Sequence, residues 1–252
     1  MLHLHILHTL QILDHLGPLQ LLPTRLQARL QLVPQQQRNR GWKGMIVTNP
    51  NCSTIALTMG LAPLKPFLIT KIIATTLQAI SGAGYPGVPS MDIVGNVVPF
   101  IGGEEEKMEC ETQKILGDLV SGQIRPLAAV VSAHCNRVPV VDGHTVTISV
   151  ELSAKPHLAD LHHAFDNYTS VPQQRGLPSA PSRPVILMRE QNRPQPRKDA
   201  ERDHGMACSV GRLRACPVLD YKLIALAHNT IRGAAGAAVL NAELMHSEGL
   251  LD

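Results

Sequence analysis

A cysteine in the run Asn49–Thr54 carries the clearest chemical signal in this chain. Pro50 and the flanking asparagines favour a tight turn between two short apolar stretches. Ser53 and Thr54 can cap a helix whose first free N–H groups point back at the Cys52 sulfur. A thiol at a helix N-terminus has a lowered pKa, and the thiolate is the nucleophilic form. We therefore interpret Cys52 as a catalytic nucleophile; the alternative is a buried structural cysteine.

The composition of the 252-residue chain excludes several classes of protein. Aromatic residues make up 3% of the sequence, so the stacking surface expected of a single-strand nucleic-acid binder is missing. A net charge of +3 is too small to indicate a polyanionic partner. The five cysteines lack the spacing of a disulfide framework, which favours a reducing, cytoplasmic location. No apolar run is long enough to span a bilayer. From these features together, we expect neither a nucleic-acid nor a membrane partner.

Residues 1–34 form a leader rich in Leu, His and Gln. Leucine recurs at every third position, a period that keeps no single face of an α-helix. Four histidines of the leader are potential metal ligands, but no set of cysteines or carboxylates completes a site, and we expect no metal. No Lys or Arg precedes Arg25, so a secretory signal is not expected. We predict that the leader has no role in the fold.

The rest of the sequence predicts a mixture of strands and helices. The predicted strands are 45–48, 69–79, 130–141, 144–152, 208–214 and 221–227, and the predicted helices are 53–61, 103–120, 158–168 and 230–245. An Asp-Gly pair at 142–143 predicts that 130–141 and 144–152 form a hairpin. Residues 104–106 are all Glu and complement the dipole of helix 103–120. Residues 172–205, rich in Pro and Arg, are expected to be irregular. The pattern predicts an α+β fold.

Further motifs extend the signal beyond the cysteine. They are Gln78–Gly84, Glu111–Gly117, Asn136–Arg137 followed by Gly143–His144, residues 193–197, and residues 228–236. In this order and spacing they resemble the aspartate-semialdehyde dehydrogenases, and the residues within the motifs are most similar to those of the fungal and archaeal branch. The resemblance runs from about residue 30 to the C-terminus. It implies a mixed or antiparallel sheet with flanking helices, and a remnant of a Rossmann domain at the edges.

The resemblance also implies an organisation in segments. The leader, 1–34, would precede a remnant of the cofactor-binding domain at 35–51, a catalytic and dimerisation domain at 52–228, and a C-terminal helix, 229–252, that packs on the cofactor domain. The Gly-rich phosphate loop of a Rossmann domain has no counterpart in the sequence. We therefore expect an N-terminally truncated chain with impaired activity. The apolar residues expected to lose cover are Ile46, Val47, Ile231, Val239, Leu240 and Leu244.

The activity implied by the resemblance is NADP-dependent reductive dephosphorylation of β-aspartyl phosphate to aspartate semialdehyde, a step in the biosynthesis of lysine, methionine and threonine. Cys52 would form a thioacyl intermediate, and His144 would be the general acid/base. Arg137 would bind the substrate carboxylate through its planar fork. Glu111 would bind the ammonium group, and Gln78 would orient the acyl group.

Five more positions match binding residues of the family. Asn51 and Lys114 would contact the phosphate, whereas Ser81, Gly82 and Asn229 would contact the nicotinamide end of NADP. The expected partners are the small-molecule substrate and a second copy of the chain. Two alternatives stay open: a thiol acyltransferase or esterase-like remnant, and a non-reducing fragment that only dimerises or is acylated at Cys52.

Overall fold

The computed structural model describes residues 19–20 and 32–251. Its strands are β1 (Leu19–Gln20), β2 (Val47–Thr48), β3 (Ile69–Gln78), β4 (Asp118–Val120), β5 (Gln123–Arg125), β6 (Val130–Arg137), β7 (His144–Leu152), β8 (Val185–Leu187), β9 (Cys208–Ala215) and β10 (Tyr221–Ala227). Its α-helices are α1 (Val33–Arg40), α2 (Cys52–Leu61), α3 (Ser90–Ile93), α4 (Glu104–Leu116), α5 (Leu158–Asp166), α6 (Val171–Gln174), α7 (Pro196–Asp199) and α8 (Gly236–Ser247). A π-helical turn, Ile231–Ala235, leads into α8, and 3₁₀ turns follow α2 and β3 at Ala62–Phe67 and Ile80–Ala83.

Six strands form one mixed sheet in the order β6-β3-β7-β10-β9-β8. Along β3 the side chains alternate between a buried face, with Ile72 and Ala74, and an open face, with Ile73 and Leu77 exposed. Helices α2 and α4 pack on the buried face, so the sheet has a covered side and an open side. The predicted α+β fold with a mixed sheet and flanking helices is confirmed.

The predicted hairpin at 142–143 is wrong. β3 lies between β6 and β7, parallel to β6 and antiparallel to β7. The connecting residues instead follow the chain beyond β3: Val138 donates its N–H to Gln78, and Ile80 donates to Val140. A local turn signal cannot reveal a third strand inserted from 60 residues earlier, because strand pairing is set by tertiary packing.

The predicted helix 103–120 is also too long. It ends at Leu116, and residues Asp118–Val120 form a small antiparallel ladder with β5. Gly117 marks the change, because a Cβ at this position would lie 2.4 Å from the Arg125 carbonyl oxygen. The predicted irregular stretch 172–205 likewise contains three short elements: α6, β8 and α7.

The C-terminal helix is better covered than the sequence predicts. Leu240 and Leu244 are buried, whereas Val239 is exposed as expected. Leu32 and Val33 form a small apolar cluster with Leu244, and α1 provides this cover. The cover that was expected to be missing is therefore partly supplied from within the chain.

Two parts of the leader, 1–34, take part in the fold, so the prediction that it has no such role is wrong: one is the pair Leu32 and Val33, and the other is β1. The backbone of β1 pairs in parallel with β2, so residues 19–20 contribute a strand that the sequence does not predict. The remaining predictions for the leader, its helical period and its histidines, lie outside the described residues. Within the described part of the chain, no helix combines the length and the apolar character needed to cross a membrane.

Helix α2 lies unusually close to the sheet. A Cβ built on Gly60 would be 2.9 Å from the Ala225 Cβ and 3.3 Å from the Ile148 Cδ1. Both partners are fully or almost fully buried residues on β10 and β7. The helix that begins with Cys52 is therefore seated on the middle of the sheet at a position where only glycine fits without a shift.

Candidate active site

The strand, turn and helix predicted around Cys52 are all present. The side-chain oxygen of Asn51 accepts the backbone N–H groups of Ser53 (2.9 Å) and Thr54 (3.2 Å), so Asn51 is the N-cap of α2. The prediction that Ser53 and Thr54 cap this helix is wrong, because their hydroxyl groups have no hydrogen-bond partner among the described residues. Cys52 is the first residue of the helix. The π-helical turn closes over it, since a Cβ on Gly233 would lie 2.8 Å from the Cys52 Cβ. Cys52 is thus fixed from both sides by main-chain geometry.

The prediction that Cys52 has a low pKa is wrong. The thiol keeps some contact with solvent, yet protein surrounds most of it, and burial raises its pKa to about 11. The negative charge of Glu104 raises it further, and the helix N–H groups and Arg137 lower it only in part. Desolvation and a neighbouring carboxylate therefore outweigh the helix terminus, and the resting form is a thiol.

Three of the predicted site residues meet at one end of the sheet. Gln78 ends β3, Arg137 ends β6 directly opposite it, and His144 begins β7, which runs the other way. All three side chains are buried. Residues far apart in sequence therefore lie at the same end of the sheet, because β3 lies between the other two strands.

The hydrogen bonding of His144 defines its tautomer. Its Nδ1 accepts the backbone N–H of Ala79 at 3.1 Å, so in the neutral ring the proton is on Nε2. Burial lowers the pKa of His144 to about 3, and the neighbouring Arg137 and His228 contribute in the same direction. Among the described residues, the buried Nε2 has no hydrogen-bond partner. His144 therefore presents a neutral, unused N–H donor.

Arg137 lies beside that donor. Its guanidinium donates to the Ala79 carbonyl at 2.7 Å, which leaves its other N–H groups for a second acceptor. A Cβ on Gly82 would lie 3.0 Å from both Arg137 Nη1 and His144 Nε2. Gly82 therefore leaves a gap that the two donors flank, and even a methyl group would close it.

Ser81 and Asn229 lie next to the same end of the sheet. The Asn229 amide donates to the Ser81 hydroxyl at 2.8 Å, and its oxygen accepts the Gly143 N–H at 2.8 Å. The three residues predicted to contact the cofactor, Ser81, Gly82 and Asn229, are thus brought together next to His144. Asn229 also ties the residue before His144 to the turn after β3.

Glu104 is a site residue that sequence reasoning missed. Its carboxylate accepts the Asn51 amide at 2.8 and 2.9 Å and the Gln78 amide at 3.3 Å. We expected residues 104–106 only to complement the helix dipole, yet Glu104 is buried while Glu106 is exposed. The signal that was present in the sequence is the seven-residue spacing to Glu111, which puts both carboxylates on one face of α4.

Glu111 and Lys114 lie further along that helix. Glu111 accepts the backbone N–H of Asn51 at 2.8 Å, so it contacts the turn before Cys52. Lys114 follows by three residues in the last turn of α4. The amide nitrogen of Asn51 donates to Glu104, so its predicted contact with phosphate requires an exchange of partners. The assigned ligands of Asn51, Glu111 and Lys114 stay predictions.

A second unexpected residue is Arg232, on the π-helical turn. It is almost fully buried, and burial lowers its pKa to about 10. Its Nη2 lies 3.3 Å from the sulfur of Met59, whereas Nε and Nη1 have no hydrogen-bond partner among the described residues. This charged side chain therefore supports the turn behind Cys52 from inside the core.

Comparison with known proteins accounts for this arrangement. The family model for the semialdehyde dehydrogenase dimerisation domain matches residues 61–232, more than half of the chain. The chain belongs to the aspartate-semialdehyde dehydrogenase family. It is 53% identical to the aspartate-semialdehyde dehydrogenase of Methanothermobacter thermautotrophicus over 220 residues, covering 86% of this chain and 63% of that protein.

Fungal members of the family are similar in sequence and in structure. The Cryptococcus neoformans aspartate-semialdehyde dehydrogenase is 45% identical, and the match covers 94% of this chain and 68% of the relative. The crystal structure of the Candida albicans enzyme with NADP superposes with a TM-score of 0.79 at 40% identity, covering 91% of this chain and 66% of that one. The chain therefore spans about two thirds of the length of aspartate-semialdehyde dehydrogenases in both archaea and fungi.

Proposed function

We propose that this chain carries the acyl-transfer site of an aspartate-semialdehyde dehydrogenase, which converts β-aspartyl phosphate to aspartate semialdehyde with NADP as cofactor. The names of the archaeal and fungal relatives support this reaction. The observation that carries the proposal is the buried Nε2–H of His144, which lacks a partner among the described residues and flanks the Gly82 gap with Arg137. An unmet buried donor is costly unless a ligand satisfies it.

In the first step, the Cys52 sulfur attacks the acyl carbon of β-aspartyl phosphate. A carbon–sulfur bond forms, the carbon–oxygen bond to phosphate breaks, and the thiol proton leaves with the phosphate. Because the pKa of Cys52 is raised, the resting side chain is a thiol, and this proton must leave before the carbon–sulfur bond is complete. The His144 Nε2–H is a donor for the acyl oxygen as negative charge develops there. Arg137 is suited to the substrate carboxylate because a guanidinium binds it with two parallel hydrogen bonds.

The residues around Gly82 fit the nicotinamide end of NADP. Gly82 leaves space that a side chain would fill, and the Ser81 hydroxyl, held by Asn229, keeps a hydrogen to donate. These three residues would hold the ring beside His144. When bound, the reduced cofactor supplies the hydride that replaces sulfur on the acyl carbon. As the thioester bond breaks, the Cys52 sulfur leaves as a thiolate and takes up a proton from solvent, so Cys52 returns to its resting thiol form.

The open side of the sheet is the proposed contact with a second copy of the chain. Ile73, Leu77 and Val130 are exposed there at 46%, 38% and 69% of their surface. An apolar surface of this kind, on neighbouring strands, is typical of a homodimer contact. The description of the matching domain as a dimerisation domain supports this assignment.

The test is acylation of Cys52. We expect the purified chain to form a covalent adduct with β-aspartyl phosphate that hydroxylamine releases, with a phosphate released for each adduct. Cys52→Ser removes the adduct, whereas Cys110→Ser, at an exposed position on α4, leaves it unchanged. An adduct that persists in Cys52→Ser excludes the proposed nucleophile. A chain that forms the adduct but does not reduce it with NADPH supports the alternative of a non-reducing acylated fragment.

A further inference from the structure

Glu104 connects two residues that approach the site from different elements. Asn51 lies in the turn before α2, and Gln78 ends β3, yet the amides of both donate to the same carboxylate. Both oxygens of Glu104 accept from Asn51, and the second also accepts from Gln78. Lys107 lies 3.8 Å away, so the amides provide the shorter contacts.

The contacts fix the direction of each amide. Because the Asn51 nitrogen faces Glu104, its oxygen is available to cap α2 through Ser53 and Thr54. Because the Gln78 nitrogen also faces Glu104, the Gln78 oxygen is turned to the opposite side of the amide group. A flip of either amide would place an oxygen against the carboxylate, which electrostatic repulsion disfavours.

We propose that Glu104 is a positioning residue of this site, whose single carboxylate holds the amides of Asn51 and Gln78 so that the Cys52 turn and the end of β3 keep one relative geometry. The inference rests on the proposed function for its catalytic meaning. A buried carboxylate with several charge-assisted hydrogen bonds is well suited to this task, because such bonds are stronger than those between neutral groups.

The charge of Glu104 has a second effect, on Cys52 itself. Two charged groups from different elements have opposite effects on the thiol: Glu104 from α4 raises its pKa, and Arg137 from β6 lowers it. The carboxylate that positions the turn therefore also favours the protonated thiol. Removing only the charge should shift the titration of Cys52 downwards, whereas a purely structural carboxylate would leave it unchanged.

The experiment compares Glu104→Gln with wild type in the 252-residue chain. Iodoacetamide alkylation of each cysteine is followed from pH 7 to pH 11 by peptide mass spectrometry, which needs no turnover. We expect the midpoint of the Cys52 profile to move to lower pH and its labelling rate at pH 8 to rise at least about threefold. We also expect its acylation by β-aspartyl phosphate to slow about tenfold, because the turn is less well positioned.

Glu106→Gln is the matched control, since it removes the same charge from an exposed position on the same helix and should change neither rate. Cys208, which is fully buried, reports on loss of structure. Glu104→Asp keeps the charge on a shorter side chain and should leave the Cys52 midpoint near that of wild type while acylation slows.

Three results would overturn the inference. The first is a Cys52 acylation rate in Glu104→Gln within twofold of wild type, because the turn and the end of β3 would then keep their geometry without the carboxylate. The second is an unchanged Cys52 midpoint in Glu104→Gln, and the third is parallel exposure of Cys208, which would indicate a general structural role. A failure of the proposed function gives a different result, because wild-type Cys52 would then not be acylated by β-aspartyl phosphate. The alkylation profiles of the variants would still decide the role of Glu104.

Discussion

The two ends of the central sheet use polar side chains in opposite ways. At the end away from Cys52, Asp220 accepts the backbone N–H of the buried Leu152 at 2.7 Å and the ammonium group of the exposed Lys155 at 2.8 Å. At the other end, Arg137 and His144 are buried. The same strands thus carry a fully paired, partly exposed set of polar groups at one end and a buried, incompletely paired set at the other.

The difference separates groups whose hydrogen bonds are completed within the chain from groups that keep an unused donor. The Asp220 set completes its hydrogen bonds within the chain, and surface pairs of this kind contribute little to stability. The His144 set keeps an unmet donor in a buried position, which costs stability and is retained where binding requires it. Perturbing each end should therefore give different losses: activity at one end, a small part of the stability at the other.

The largest expected effect is from Gly82→Ala. The added methyl group would lie 2.9 Å from the His144 Cε1 and 3.0 Å from Arg137 Nη1, so one of the two must move. We expect the rate of Cys52 acylation by β-aspartyl phosphate to fall about 100-fold. Gly102→Ala is the control, because nothing lies within 4 Å of its Cβ position. A Gly82→Ala rate within twofold of wild type would contradict the proposed gap.

His144→Asn should change how stability depends on pH. The folded pKa of His144 is about 3, against about 6.5 in the unfolded chain, so below pH 6.5 the unfolded state binds a proton that the folded state does not. Stability is therefore fully present above pH 6.5 and is lost as pH falls, by about 2 kcal/mol between pH 6.5 and 5.

Urea unfolding at a series of pH values measures this contribution. His144→Asn should lose it, so its stability should fall less between pH 6.5 and 5 than that of wild type. His163→Asn, at an exposed position on α5, should retain the wild-type slope. Equal slopes in His144→Asn and wild type would mean that His144 is not held neutral in the folded chain.

Arg137→Lys tests recognition of the substrate carboxylate. Lysine keeps the charge but lacks the fork that can bind a carboxylate while donating to Ala79. We expect Cys52 acylation by β-aspartyl phosphate to slow about tenfold, whereas acylation by acetyl phosphate, which has no α-carboxylate, should change by less than about twofold. Equal slowing with both reagents would assign Arg137 to the acyl phosphate instead.

The smallest effect is expected at the other end of the sheet. Asp220→Asn weakens the contacts with Leu152 and Lys155 and should lower the free energy of unfolding by about 1 kcal/mol. Cys52 acylation should be unchanged, since the site lies at the opposite end of β7. A marked loss of acylation would show that the two ends are coupled, and the comparison would fail.

The sequence predicts best what neighbouring residues decide. The turn at Pro50 and the helix at Cys52 follow from local chemistry, and the structure has both, but the helix is capped by Asn51 and not by the predicted Ser53 or Thr54. The strand 69–79 is also present almost in full, because its alternation of buried and exposed side chains is a property of the segment itself.

The sequence predicts least where tertiary packing decides. The insertion of β3 between β6 and β7 overturned a strong local turn signal. The pKa of Cys52 is raised, not lowered, because burial and Glu104 outweigh the helix terminus that the sequence makes visible. Glu104 itself differs from its neighbours only in being buried, which no local pattern of three glutamates reveals.

Gly60 sets how closely the helix that begins with Cys52 lies against the sheet. It lies eight residues along α2 from Cys52, about 12 Å away, and touches Ala225 at a distance that no larger side chain allows. An α-helix is stiff over two turns. A methyl group at position 60 would therefore push that part of the helix away from the sheet and shift its other end, at Cys52. The position of the Cys52 sulfur, the proposed nucleophile, therefore depends on the absence of a side chain two helical turns away.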